Sequence, residues 1–178
     1  MNLVDYINHS GGAHGADSAW DEIGFEYGMV RNNHYYAQGE KTPKGNIALT
    51  REQLLEADPY LSEANKTLQR RFPAKSEYVN NLLRRNWFQV KNAEAVFAIS
   101  TITNNKVDGG TGWAVHMDIA VGKPVFVFDQ LKKKWFTYDN GFVECDVPTL
   151  TKNFAGIGTR EINDDGRNAI KQVYGKIS

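Results

Sequence analysis

Two short apolar runs with a helical segment between them place the strongest limit on the fold of this chain. The runs AVFAI (residues 95–99) and PVFVF (124–128) are continuous and rich in β-branched and aromatic residues. Such runs are typical of strands that are buried on both faces of a sheet. Residues 110–121 have helical character and are followed by Gly122 and Pro124, which are helix stop signals. The order strand, helix, strand forms a βαβ unit and predicts a parallel sheet.

The rest of the chain extends this unit to an α/β fold. The other predicted elements are helices over residues 16–28, 51–72 and 77–91, a C-terminal helix that follows residue 160, and strands at residues 3–7, 30–36 and 154–157. Helix 51–72 is expected to break near Pro59, and helix 77–91 to turn Val79, Leu82, Leu83 and Val90 to one side. Asn140-Gly141 indicates a β-hairpin within residues 130–148. We expect one Rossmann-like three-layer domain over residues 1–178, with a mainly parallel central sheet and this hairpin.

Composition restricts the partners of the protein. A length of 178 residues suits one domain, and the 21 basic residues balance the 21 acidic ones. This balance gives no general attraction to nucleic acid or to an anionic membrane. The single cysteine, Cys145, excludes an internal disulfide, and the N-terminus lacks the pattern of a secretory signal. We expect a cytoplasmic protein that binds neither membranes nor nucleic acid.

Three glycine-rich segments each follow a predicted strand and lead into a predicted helix. They are SGGAHG (residues 10–15), DGGTG (108–112) and GIGTR (156–160). The carboxyl ends of parallel strands share one edge of a sheet, where glycine amides and helix N-termini attract phosphate. The sequence therefore predicts one crevice for an anionic ligand. The predicted lining residues are Ser10, Gly11, Gly12, Ala13, Gly15, Asp17, Gly109, Gly110, Thr111, Gly112, Gly156, Gly158, Thr159 and Arg160.

The segments SGGAHGAD (residues 10–17) and GGTGWAVHMD (109–118) resemble the second and third motifs of the SLOG superfamily. This Rossmann-like group contains the Lonely Guy phosphoribohydrolases, the DNA-processing protein A fold and the YpsA-like proteins. The resemblance covers most of the chain except residues 37–75 and 130–148. It implies a nucleotide or nucleotide-derived ligand of AMP or ADP-ribose type, bound by a sensor or sequestering protein. It also implies a homo-oligomer, and it names no cofactor.

The segment AGIGTREI (residues 155–162) resembles the first motif of the same superfamily, although it lies near the C-terminus. The resemblance therefore implies a circularly permuted order of the motifs. Permutation costs little when the chain ends lie close together at the surface. It predicts that the βα unit at residues 154–175 packs beside the N-terminal strand, with the two strands parallel.

The same resemblance bears on catalysis. The Lonely Guy pattern PGGxGTxxE has its catalytic glutamate four residues after the third glycine, and here Gly112 is followed at that spacing by His116. The arginine of a second Lonely Guy motif, MHxRK, matches Arg85, while Asn86 replaces the lysine. The resemblance thus implies a phosphate-facing Arg85 without the catalytic acid. Binding without hydrolysis is expected first, and a nucleotide N-glycosidase or phosphoribohydrolase is the alternative.

Several residues remain open between a chemical and a structural role. Cleavage of an N-glycosidic bond uses a carboxylate, and Asp17 and Asp108 lie near the predicted crevice. Asp17 is equally explained as a helix N-terminal acid favoured by the helix dipole. His116 is either a base or, as we prefer, a hydrogen-bond donor to the ligand. Arg160 either meets phosphate or pairs with a neighbouring acid. The four histidines lack metal-ligand spacing, so no metal site is predicted.

Overall fold

The computed structural model describes residues 3–40 and 45–177. The strands are β1 Ile7–Ser10, β2 Arg31–Ala37, β3 Ile47–Leu49, β4 Ala95–Ser100, β5 Ile102–Thr103, β6 Lys106–Val107, β7 Val125–Asp129, β8 Lys134–Tyr138, β9 Phe142–Cys145 and β10 Asn153–Gly158. The helices are α1 Ala16–Glu26, α2 Arg51–Glu56, α3 Asp58–Leu68, α4 Glu77–Lys91, α5 Thr111–Ala120 and α6 Asp164–Gly175, and a short 3₁₀ helix covers Leu3–Asp5.

One eight-stranded sheet forms the centre of the molecule, in the order β3-β2-β1-β10-β4-β7-β8-β9. All pairs from β3 to β7 are parallel, whereas β8 and β9 form an antiparallel hairpin at one edge. The predicted α/β class with a mainly parallel sheet and a C-terminal-half hairpin is confirmed. β1 and β10 are parallel neighbours, with Ile7 opposite Asn153 and Asn8 opposite Phe154. This is the pairing that a permuted order of the motifs requires.

Two hydrophobic clusters cover the two faces of the sheet. β4 is buried throughout, and its successive side chains alternate between the clusters because strand side chains point to opposite faces. Phe97 joins α1 and α6 on one face, whereas Val96 and Ala98 join α2, α3, α4 and α5 on the other. The neighbouring strands β10 and β4 therefore connect to helices on opposite faces. Such a switch opens a crevice at the carboxyl edge of the sheet.

Four elements differ from the sequence prediction. The first strand begins at Ile7, and Leu3 lies instead in the 3₁₀ turn, where it is buried in the core. The strand β3 and the small β5–β6 hairpin were not predicted, because strands of two or three residues carry too little periodicity. The expected break near Pro59 is confirmed, because α2 ends at Glu56 and α3 begins at Asp58, with Pro59 in its first turn, where proline is tolerated. The predicted polar loop over residues 37–46 lies partly outside the described residues, at 41–44.

Among the helices of the described residues, none is long and apolar enough to span a bilayer.

Candidate functional site

A two-lobed cleft lies at the carboxyl edge of the sheet. The smaller lobe has a volume of about 440 Å³ and the larger lobe about 730 Å³. Ala13, Leu82 and Arg160 line both lobes and so join them. Residues from all three glycine segments line the smaller lobe, at positions 13, 108–111 and 157–160. The three turns thus meet at one site, between the sheet edge and the helix α4.

The second glycine segment presents an open helix N-terminus to the smaller lobe. Gly110 is the N-cap of α5, and no side chain caps this helix. The backbone N–H groups of Gly110 and Thr111 donate to no described residue, as expected for the first amides of a helix. No atom of the described residues lies within 4 Å of the position that a Cβ would take at Gly109 or Gly110. This turn therefore offers free donors, a positive dipole end and space to a ligand.

Arg70, at the end of α3, fixes the shape of this turn from behind. Its guanidinium donates to the carbonyl oxygen of Gly109 at 2.6 Å and to that of Val107 at 3.1 Å. Gly112 lies against the Arg70 guanidinium and the Val107 carbonyl, and a Cβ at this position would overlap the Val107 carbonyl. Asp108 accepts hydrogen bonds from two threonine hydroxyls of the β5–β6 hairpin, at 2.6 and 2.8 Å. Gly112 is thus required for packing, whereas Gly109 and Gly110 face the cleft.

The first glycine segment is held in place largely by hydrogen bonds within the segment. The N–H of Gly12 donates to the Ser10 hydroxyl at 3.1 Å, and Ser10 is fully buried at the end of β1. Gly12 and Gly15 adopt positive φ angles of 65° and 101°. A Cβ at Gly15 would lie 2.5 Å from the Cα of Arg160. Gly15 therefore lets the first and third segments pack directly against each other, whereas Gly12 makes room for the His34 ring, 2.6 Å from its Cβ position.

Asp17 ties the first segment to the third. One carboxylate oxygen accepts from the N–H of Ala13 and the other from the N–H of Gly158, each at 3.2 Å. The side chain is buried, and burial raises its pKa to about 6. Asp17 also lines the smaller lobe. Asp17 thus borders the cleft and holds the two segments together, and its role as a catalytic acid or base stays a prediction.

The third segment differs from the predicted strand–turn–helix. Gly156 lies inside β10, where a Cβ would collide with the Trp20 side chain, and it does not line either lobe. The helix α6 begins only at Asp164. Thr159 is held by two backbone hydrogen bonds, one from its N–H to Ile99 and one to its carbonyl from α1. The segment is therefore a bent strand end that carries residues 158–160 into the cleft.

Arg160 is the free cation of the cleft. Its side chain is exposed, and it forms no ion pair or hydrogen bond with any residue in the described ranges. The salt bridge that was the alternative role for Arg160 is not present there. Because Arg160 lines both lobes, this residue lies at their junction.

The helix α4 forms the long wall of both lobes, and the sequence analysis missed this role. Val79, Leu82 and Leu83 share a side that lines the cleft, and Leu83 also packs against the core, whereas Val90 is buried in the core, so the predicted common side is wrong only for Val90. The core side of α4 is formed by Trp87, Phe88 and Val90. Residues missed as cleft-lining are Tyr78, Val79, Asn81, Leu82, Leu83, Asn86 and Gln89. Their spacing of three or four residues was the signal that this side of the helix forms one surface.

Arg85 lies in the larger lobe, but its charge is already balanced. Its guanidinium is 3.6 Å from the carboxylate of Glu40, and both side chains are largely buried. Glu40 also accepts from the N–H of Ala37 at 3.1 Å, which holds it in place. A second carboxylate of this lobe, Glu77, pairs with Arg84 at 2.8 Å. The larger lobe therefore has little net positive charge, in contrast to the phosphate-facing role implied for Arg85.

His116 lies outside both lobes. Its Nε2 accepts from the N–H of Val107 at 3.2 Å, so this nitrogen carries no proton. Burial, together with the charges of Arg70 and Lys106, lowers its pKa to about 4. The histidine at the position of the catalytic glutamate thus supports β6 as a neutral residue. We do not retain it as a base or a ligand donor.

Comparison of the chain with protein-family models, with curated proteins and with solved structures gave no match. The fold and the cleft alone define the class: a Rossmann-like α/β protein with a small-molecule-sized cleft at the carboxyl edge of its sheet. In the part of the chain that the structure describes, no three His, Cys, Asp or Glu side chains are grouped to hold a metal ion.

Proposed function

We propose that this protein binds a nucleotide or a nucleotide-derived ligand, of AMP or ADP-ribose type, as a sensor or sequestering protein. One observation carries the proposal: the uncapped N-terminus of α5 and the unpaired Arg160 line the same lobe. A phosphate placed between them would accept hydrogen bonds from the amides of Gly110 and Thr111. The guanidinium would add a charge-assisted hydrogen bond.

The lining of the smaller lobe is mostly apolar, although Asn86 and Gln89 of α4 also belong to it. Val79, Leu82 and Leu83 of α4 line the smaller lobe. Apolar side chains exclude water and so strengthen the electrostatic attraction between the phosphate and its donors. Most small-molecule sites combine an apolar lining with a few converging polar groups in this way. A ligand with both a phosphate and a less polar portion fits this combination.

Binding without hydrolysis is supported by the state of the candidate acids and bases. His116 is buried and already hydrogen-bonded, and the carboxylate of Asp17 accepts two backbone hydrogen bonds. One observation still favours the hydrolase as a second candidate. Burial raises the pKa of Asp17 to about 6, within the range that suits a general base near neutral pH.

Incubation of the purified protein with AMP or ADP-ribose separates the two functions. For a binding protein we expect retained, unchanged ligand by mass spectrometry after denaturation. Release of free adenine that is lost in Asp17→Asn would select the hydrolase. Failure of calorimetry to detect binding of either nucleotide would contradict both functions.

The charge role of Arg160 has its own test. Removing one charge-assisted hydrogen bond costs about 1.5–3 kcal/mol, so Arg160→Gln should weaken AMP roughly ten- to a hundredfold. Adenosine, which lacks the phosphate, should bind the variant and the parent protein equally. Arg167→Gln, on an exposed position of α6, is the matched control and should change neither affinity. Equal losses for AMP and adenosine in Arg160→Gln would contradict the phosphate assignment.

A further inference from the structure

We infer that the larger lobe of the cleft is a subsite for an aromatic base, with the ring of Tyr78 as its stacking face. This inference rests on the proposed function and specifies which part of the ligand enters which lobe. It assigns the phosphate to the smaller lobe and to Arg160, and the heterocycle to the region around Tyr78, Asn81 and Glu40.

Tyr78 is an aromatic side chain without a ring partner. It lies in the first turn of α4, lines the larger lobe and is 64% exposed. It stacks on no other aromatic ring of the described residues. Trp87 on the same helix, in contrast, stacks on Tyr60 with 3.7 Å between ring centroids. A flat, exposed ring on the wall of a cleft is a suitable surface for a base, because every base has a π-face.

The charges of the larger lobe disfavour a second phosphate there. Arg85 is neutralised by Glu40, and Glu77 is paired with Arg84 and Arg51, so neither ion pair leaves a free positive charge for a phosphate in this lobe. The remaining unpaired cation, Arg160, lies at the boundary with the smaller lobe. An uncharged heterocycle needs no cationic partner. The charge distribution thus orients the ligand, with its phosphate toward α5 and its base toward Tyr78.

Polar groups beside Tyr78 match the edge of a base. The side-chain oxygen of Asn81 accepts from Arg84 at 3.0 Å, and the amide nitrogen of this lobe-lining residue donates to no described residue, so it remains available as a donor. Glu40 supplies carboxylate oxygens as acceptors in the same lobe. Adenine and cytosine present a donor and an acceptor side by side on their pairing edges. Such a base can therefore accept from the amide nitrogen of Asn81 and donate to the carboxylate of Glu40.

The dimensions of the cleft suit this arrangement. The larger lobe, with about 730 Å³, falls within the range of roughly 300–1,000 Å³ that is common for small-molecule sites. Gly39 lines this lobe with no atom of the described residues near its Cβ position, so the wall there is backbone. Because Ala13 and Arg160 border both lobes, one ligand can contact the two lobes at once.

Calorimetric titration with two probes, AMP and ribose 5-phosphate, tests the inference. Both carry the phosphate, and only AMP carries a base. Stacking on an aromatic side chain contributes about 1–3 kcal/mol per base, so Tyr78→Ala should weaken AMP roughly 5- to 150-fold. Ribose 5-phosphate should bind Tyr78→Ala as it binds the parent protein. Tyr78→Phe keeps the ring and should bind AMP within about twofold of the parent protein.

The outcomes separate this inference from the function on which it rests. Unchanged AMP affinity in Tyr78→Ala, or equal weakening of both probes, would overturn the base subsite and leave the phosphate site standing. Equal affinity of the parent protein for the two probes would overturn it as well, because the base would then contribute nothing. If the parent protein binds neither probe, the proposed function fails and the subsite fails with it.

Discussion

Replacing Gly110 with leucine should block the phosphate site and leave the fold intact. Gly110 has φ −61° and ψ −28°, a right-handed helical conformation that any L-residue adopts. Apart from its own chain neighbours, no atom of the described residues lies within 4 Å of its Cβ position, and Gly110 lines the smaller lobe, so we expect the new side chain to extend into the cleft. The other glycines of the three turns are less suitable, because Gly109, Gly12, Gly15 and Gly158 all have positive φ angles.

The size of the effect follows from the donors that leucine would cover. The N–H groups of Gly110 and Thr111 would each lose a hydrogen bond to a charged oxygen, worth about 1.5–3 kcal/mol. Loss of both weakens AMP binding at least about a hundredfold. Stability should change by no more than about 1 kcal/mol, because glycine has a low helix propensity that leucine improves, while leucine is a poor N-cap.

Calorimetry with AMP and urea unfolding monitored by circular dichroism measure the two quantities separately. Gly175→Leu is the matched control, since Gly175 ends α6, has an open Cβ direction and does not line either lobe. We expect the control to bind AMP like the parent protein. AMP affinity in Gly110→Leu that equals the parent protein would refute the reasoning, because a ligand on these amides cannot share their space with leucine.

Two further predictions concern stability. Asp118 is fully buried without a hydrogen-bond partner in the described structure, and burial raises its pKa to about 8. Since the unfolded carboxyl has a pKa of about 3.9, folding takes up a proton and stability falls as the pH rises from about 4 to 8. Asp118→Asn should remove most of that fall between about pH 6.5 and 8 in urea unfolding, and an unchanged slope would contradict it. Arg84→Met should lower stability by about 2 kcal/mol, because buried Arg84 joins Asp58 at 2.7 Å and Glu77 at 2.8 Å, whereas Arg167→Met should not. If Arg84→Met lowers the free energy of unfolding no more than Arg167→Met does, the ion pairs of Arg84 contribute nothing to stability.

The sheet centre was predictable because its strands are apolar throughout. The buried strands β4 and β7 were recognised from continuous runs of hydrophobic residues. The strand β1 was placed too early because its buried residues are polar. Asn8, His9 and Ser10 are nearly inaccessible, and side-chain hydrogen bonds to Asp21, Tyr35 and Asn153 satisfy the first two. Those partners lie far away in the sequence, so hydrophobic periodicity cannot reveal such a strand.

The glycine turns were predictable as a group, but their separate roles were not. Gly110 faces open space, whereas Gly112 and Gly156 are small because backbone or a tryptophan ring lies against them. Both situations select glycine, so only the tertiary structure distinguishes a ligand-facing position from a packing position. The wall formed by α4 was missed for a related reason. An apolar stripe on a helix shows which side of the helix is shielded from water. It does not show whether that side faces the protein core or a cleft.

Four features remain predictions: the resemblance to the SLOG superfamily, the permuted order of its motifs, self-association and a cytoplasmic location. The parallel pairing of β1 with β10 agrees with permutation. His116 is buried, its Nε2 accepts from the N–H of Val107, and burial lowers its pKa, so it is neutral near pH 7. The chemistry proposed for the cleft therefore depends on the free donors of α5 and on Arg160.

Titration of the ¹⁵N-labelled protein with AMP, followed by amide NMR spectra, tests most directly whether the three turns form one ligand site. We predict that the amide signals of Gly110 and Thr111 shift most, and that those of Ala13 and Arg160 shift with the same dissociation constant. The signal of Gly175 should stay in place. Saturation of AMP binding with no change at Gly110 and Thr111, or with shifts in only one of the three segments, would contradict the account.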